Sequence, residues 1–269
     1  MVPLINILTL VAMLVLSVLL PVSVWFIVWR RTKASPVNLL VGMAVFFVCF
    51  VIAVATSLLG SMLIASPLIL TLVLALRAGL VEEFGRFVAF KWLLKRQKNI
   101  SDGIMYGIGH GGMEVLLVYS LAIVSNLVLV FMASTGALEP LYAEVPEQAA
   151  AISGAIDAIA QSSPLTLSIG LFERVSALTL HISLSVIVFC AVRQKRWALF
   201  VLAIAMHALS DSTIALLVTG VVNIPVLEVI IFGVSLLTVF LAWLTARAYR
   251  KTQQAEQAEQ APMTEQLPS

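Results

Sequence analysis

The sequence predicts an all-α membrane protein: a polytopic bundle of about seven transmembrane helices, N-terminus outside and C-terminus in the cytosol. Three observations predict it. Of 269 residues, 61% are hydrophobic and only 11% charged, with a mean hydropathy of +1.07. Soluble domains lie nearer half apolar and a quarter charged, so this chain needs lipid as its solvent. Seven apolar runs each exceed the ~20 residues that cross ~30 Å of hydrocarbon at ~1.5 Å per residue. Thirteen of the sixteen Lys and Arg fall in every second connection between those runs.

The first run, Leu4–Trp29, lacks a basic start and is too long for a signal-peptide core, and Arg30, Arg31 and Lys33 follow it. It reads as a span rather than a cleaved leader. The others are Asn38–Ile64, Pro67–Leu94, Gly103–Met132, Leu165–Val192, Trp197–Thr219 and Pro225–Tyr249. Basic residues crowd the connections after spans one, three, five and seven and are missing after spans two, four and six. The positive-inside rule therefore puts the odd-numbered connections in the cytosol. The longest outer loop, Ala133–Pro164, is acidic, and its stretch Pro146–Gln161 is expected as a short helix on the outer surface. Residues 252–269, rich in Gln, Ala and Glu and without apolar periodicity, are expected to be a disordered cytosolic tail. The chain thus reads as one transmembrane domain, 1–251, with no internal repeat. Its partner is the lipid bilayer; the net charge of +2 gives no sign of nucleic acid. Cys49 and Cys190 lie inside apolar runs, so neither a disulfide nor a CxxC metal motif is expected.

The informative residues are the ionisable ones inside spans: Arg77, Glu82, Glu83, Arg86, Glu114, Glu173, Arg174, Asp211 and Glu228, with all three histidines, His110, His181 and His207. Such a side chain near the bilayer centre costs on the order of 2.5–3.5 kcal/mol even on lenient scales, so it faces protein or a polar cavity. Counted from the basic helix ends, Glu82, Glu83, Arg86 and the histidines lie about 10–17 Å deep, on four different helices at nearly one level. Arg86 is i+4 from Glu82 and i+3 from Glu83 and can pair with either. His110 and Glu114 are i, i+4, as are His207 and Asp211, so each of these histidines has a carboxylate one turn away to orient it. The adjacent glutamates point ~100° apart and so have different jobs. Gly103, Gly107 and Gly111 form a small-residue seam for close helix packing beside His110. Glu114, Glu173, Arg174 and Arg77 read more simply as polar contacts between helices, and Glu228, near the outer end of its span, can reach the interface.

Glu82-Glu83-x-x-Arg86, Tyr106-x-x-x-His110 and His207-x-x-x-Asp211 on successive spans resemble the glutamate-dependent intramembrane proteases. That superfamily includes the type II CAAX prenyl endopeptidases, the bacteriocin-processing and immunity proteins, and PrsW. With the Gly-rich His110, Glu114 and His181, the pattern is most similar to the bacterial YhfC family. The resemblance covers spans three to six, roughly residues 67–219, as the catalytic core. It implies a multi-pass plasma-membrane endopeptidase that hydrolyses a peptide bond of a membrane-associated protein or peptide with activated water, in the cytosolic half of the bilayer. By the same resemblance, Glu82 and His110 hold and activate the water, and a buried glutamate suits a general base. His207 and Asp211 stabilise the oxyanion, Arg86 balances the glutamate pair, and His181 and Glu114 are secondary members. CAAX endopeptidases place three residues between the glutamate pair and the arginine; here there are two, which leaves open which glutamate is the base.

No HExxH, GxGD or GxSG motif is present. The implied reaction needs no cofactor. The rival chemistry is zinc held by His110, His181, His207 and a carboxylate, with water in the open position. Two other classes remain open: a proton-coupled transporter, which intramembrane Glu, His and Arg would also serve although no inverted repeat is visible, and a non-catalytic immunity or scaffold protein. The depth of the site suggests that the substrate segment enters from the cytosolic side. Whether it is lipidated, and the oligomeric state, are not written in the sequence.

Overall fold

A computed structural model describes residues 2–260, and every regular element among them is helical. Helices α1 (Leu4–Thr32), α2 (Pro36–Leu63) and α3 (Pro67–Val88) are joined by short connections. The chain leaves α3 through a π-helical turn, Ala89–Leu93. Helix α4 (Ile100–Glu114), a second π-helical turn (Val115–Ser120) and α5 (Leu121–Thr135) form one continuous rod, Ile100–Thr135. The short helices α6 (Glu139–Glu144) and α7 (Pro146–Gln161) occupy the acidic loop, followed by α8 (Pro164–Gln194), α9 (Trp197–Ser212), α10 (Ile214–Val218) and α11 (Ile224–Gln260).

The runs expected from the sequence coincide with these helices. Six are long and apolar enough to cross a membrane. The 22-residue α3 stands apart because Arg77, Glu82 and Glu83 share one short stretch of it. Part of the expected disordered tail is helical, since α11 continues to Gln260. An already formed helix extends cheaply through good formers such as Gln, Ala and Glu, and Tyr249 Oη donates to Lys98 O at 2.9 Å to tie its base to the bundle. Residues 261–269 lie outside the described residues.

Local chemistry sets the helix ends. Helices α2, α3 and α8 all begin with Ser-Pro: the serine oxygen of Ser35, Ser66 or Ser163 accepts from Val37, Ile69 or Thr166 N–H, and proline fits the first turn. At the other end, α1 and α8 close on Lys33 and Lys195 in the left-handed region. Both lysines also supply positive charge where the last carbonyls need it. The first π-helical turn is held by Arg193, whose guanidinium donates to the carbonyls of Phe90, Leu94 and Gln97.

Helix α8 is the central post: 72% of its most apolar stretch is buried, against 17–33% in the other five such helices. Helix α4 lies between α8 and α2, and glycine lets it approach both. A Cβ at Gly107 would sit 2.6 Å from Ile182 Cα of α8, and one at Gly109 would sit 2.0 Å from Leu39 O of α2. Gly103 and Gly111 also face α8, so the predicted seam is an α4–α8 seam. At the basic end of the bundle, the fully buried Phe90, Tyr106 and Phe189 pack ring to ring, with centroids 4.7 and 5.4 Å apart.

Candidate active site

One turn beyond that aromatic cluster, four helices deliver the predicted residues to one point. Helix α3 brings Glu82, Glu83 and Arg86, α4 brings His110 and Glu114, α8 brings His181 and α9 brings His207 with Asp211. The imidazoles form a row, with His110–His181 centroids 5.2 Å apart and His181–His207 centroids 5.3 Å apart. The edge of the row is packed by Phe46 of α2, edge-on to His110 at 5.0 Å.

Glu82 is the hub. Its Oε2 lies 3.0 Å from His110 Nε2, 3.8 Å from His207 Nε2, 3.8 Å from Arg86 Nη2 and 4.0 Å from His181 Nδ1. Glu83 is fully buried and turned the other way. Arg86 Nη1 donates to its Oε1, and His207 Nδ1, 2.7 Å away, donates to the same oxygen, since a carboxylate only accepts. Arg86 Nη2 bonds His181 Nδ1. Because a guanidinium only donates, that nitrogen is the acceptor and the ring proton sits on Nε2, which meets Glu114 Oε2.

Of the expected i, i+4 orienting pairs, His110–Glu114 does not form, and His207–Asp211 is a loose contact. His110 turns to Glu82 on the neighbouring helix, while Glu114 reaches across to His181 and to Arg174 Nη1, the latter 3.0 Å away. His207 makes its hydrogen bond from Nδ1 to Glu83, while Asp211 Oδ2 stays 3.7 Å from Nε2, close enough for an ion pair but too far for a hydrogen bond. Cross-helix partners win because all three rings point inward between helices, whereas an i, i+4 pair lies along the surface of its own helix. Glu228, expected to reach the interface, is instead turned into the bundle at 8% exposure.

A 520 Å³ cavity opens on this cluster, lined by Glu82, Glu114, His181, His207 and Asp211 at its floor. Glu83, Arg86 and His110 lie behind that floor. The walls run away from the basic helix ends: Phe46 to Leu58 on α2, Arg77 and Ala78 on α3, and Val118 beyond Glu114. The lining therefore extends away from the basic end, the side from which the sequence suggested entry, and the Phe90–Tyr106–Phe189 cluster fills the space at that end. Sequence reasoning passed over Phe46, an apolar residue with no distinguishing signal, and read Arg77 as a helix–helix contact.

The residues suit a metal ion. One donor atom from each of Glu82, His181 and His207 lies within 4.8 Å of the others. Two imidazoles and a carboxylate are zinc-type donors. Each of these imidazoles also has its other nitrogen at a carboxylate, Glu114 or Glu83, the support that metal-ligating histidines usually have. Holding a cation on His181 Nδ1 requires Arg86 to leave that nitrogen and rest on Glu83. His110, whose Nδ1 is buried with no partner among the described residues, stays outside the donor group.

Among proteins in hand, the chain is 29% identical over 166 residues to the uncharacterized membrane protein YhfC of Bacillus subtilis (strain 168), covering 61% of this chain and 64% of that relative. The match thus spans just under two thirds of the relative's length. No solved structure matches. The sequence pattern of the YhfC intramembrane metalloprotease family matches residues 16–232, from α1 into α11 and across every residue of the cluster. With most of its length matched, this membrane protein belongs to the YhfC intramembrane metalloprotease family.

Proposed function

We propose that the chain is an intramembrane endopeptidase of the plasma membrane. In this reading it crosses the bilayer seven times, α3 included, with its basic connections in the cytosol, as a single domain with its catalytic core over about residues 67–219. The observation that carries the reading is Glu82: a carboxylate at the floor of a cavity with His110, His181, His207 and Arg86 all within 4.0 Å of its Oε2.

In the glutamate-driven form Glu82 accepts a proton from the attacking water and returns it to the leaving amine, a role worth about 10²–10⁴ in rate; in the metal-assisted form it would instead be one of the three donors. His110 Nε2 holds the carboxylate in place from behind. Glu83 and Arg86 form a buried pair that fixes the His207 ring through Nδ1, and Arg174 and Glu114 do the same for His181. Asp211, at the cavity wall, is placed to accept hydrogen bonds from the substrate backbone rather than to orient His207.

Two observations favour the metal-assisted form over a purely glutamate-driven one: the three-donor group, and the formal charge of the cluster and its cavity taken together. Glu82, Glu83, Glu114, Glu173 and Asp211 stand against Arg77, Arg86 and Arg174, an excess of two carboxylates. A bound zinc ion would supply a water activated near neutral pH and polarise the scissile carbonyl. Two protonated histidines would balance the charge equally, so metal analysis of the purified protein decides. About one zinc per chain, lost in His181→Ala/His207→Ala, is expected; no metal in either protein leaves the Glu82–His110 form standing. Proteolysis itself is tested by profiling new peptide termini in cells producing wild type or Glu82→Gln. Termini present only with wild type are expected, and identical profiles from well-inserted proteins would sink the protease reading.

A further inference from the structure

Arg77 is the cation of the cavity that the cluster does not use. Arg86 and Arg174 each rest on carboxylates. Among the described residues, Arg77 has no carboxylate within 4.0 Å. Its Nη1 donates to Thr56 Oγ1 of α2 at 3.0 Å, and its buried Nε has no acceptor. It lies ten residues into α3 from Pro67, about 15 Å from that end and therefore deep in the bilayer, where an unmatched guanidinium is costly and marks a site. It lines the same cavity as Glu82, five residues or about 7.5 Å further along the helix axis from the floor. Around it the walls are apolar: Phe50, Val54, Leu58 and Val118.

An apolar channel with a hydrolytic floor and one anchored guanidinium fits an apolar ligand that ends in an anion. Thr56 steadies one arm of the guanidinium and leaves Nη2 for a charge-assisted bond to a carboxylate or phosphate. We propose that Arg77 and Thr56 form an anion-binding subsite, and that it takes the free C-terminal carboxylate of an apolar peptide. The peptide as source of that carboxylate rests on the protease reading; the subsite does not. A substrate so held presents a bond close to its C-terminus to Glu82, so the peptides released would be short.

The test measures binding. Protein in neutral phosphatidylcholine nanodiscs is titrated with a fluorescently tagged Leu/Ala hexapeptide, as the free acid and as the C-terminal amide. The acid is expected to bind about tenfold or more tighter, the worth of one charge-assisted pair. That gap closes in Arg77→Gln, narrows in Thr56→Val, returns in Arg77→Lys and persists in Glu82→Gln. Equal binding of acid and amide by wild type, or a gap that survives Arg77→Gln in a folded protein, overturns the peptide carboxylate. If wild type shows no gap but retains phosphatidylglycerol in native mass spectrometry and Arg77→Gln releases it, the anion is a lipid phosphate. Retention by neither protein overturns the subsite altogether. Since cleavage is not the readout, a chain that hydrolyses nothing still shows the gap, and the two readings fail separately.

Discussion

Glu82 and Glu83 are neighbours in the chain yet sit in different surroundings, because one residue of helix turns a side chain by about 100°. Glu82 looks into the cavity at 15% side-chain exposure; Glu83 looks into protein, where Arg86 and His207 share its Oε1. Conservative changes therefore separate them. Glu83→Gln leaves the buried Arg86 short of its closest counter-charge and is expected to cost about 3 kcal/mol or more of stability, read as a lowered thermal midpoint in detergent. Glu82→Gln is expected to leave that midpoint nearly unchanged while removing activity. Equal midpoints for the two variants would refute the division. The identities of these residues were legible because any charge inside an apolar run is conspicuous. Their pairings were not: spacing reports only neighbours on the same helix, and the rotation of each helix about its axis chose partners on another.

At the scale of the element, hydropathy located each long helix, and Pro146–Gln161 emerged as the helix α7. The π-helical turns were not legible. Each follows a site-bearing stretch, after Arg86 and after Glu114, and adds one residue to a turn without any composition that announces it. Helix α4 shows why its glycines are not interchangeable with alanine. A Cβ at Gly109 meets backbone of α2, which cannot swing aside as a flexible side chain would. Gly109→Ala is expected to destabilise by about 1–3 kcal/mol. On α7, nothing lies within 4 Å of a Cβ at Gly154, so Gly154→Ala is expected to be neutral or to stabilise by up to about 1 kcal/mol. Thermal unfolding of both variants beside wild type checks the pair, and comparable losses at the two positions would contradict the close α2–α4 approach.

For the whole molecule, the basic residues predict a topology that labelling can read. With Cys49 and Cys190 replaced, a single cysteine at Ser153 on α7 is expected to react with a membrane-impermeant maleimide in intact cells. One at Gln253 is expected to react only after lysis. The reverse pattern would invert the protein and put the aromatic cluster on the outer side. What the sequence could not supply at this scale was the direction in which the cavity runs, since depth places a residue along one axis and says nothing of which gap between helices stays open.

The charged helix α3 also bears on how the protein is made. Its partners are synthesised late: His181 lies 95 residues after Arg86, and His207 lies 124 residues after Glu83. At about 5–20 residues per second, translation takes roughly 6–25 s to cover the longer gap. Through that interval the nascent α3 carries glutamates and arginines that lipid will not accept. In the proposed seven-span topology it waits in the insertion machinery or at the membrane surface until α8 and α9 arrive. Chain order in that topology thus leaves the site incomplete until α9 is made, and the assembly of the site and the membrane integration of α3 become one event.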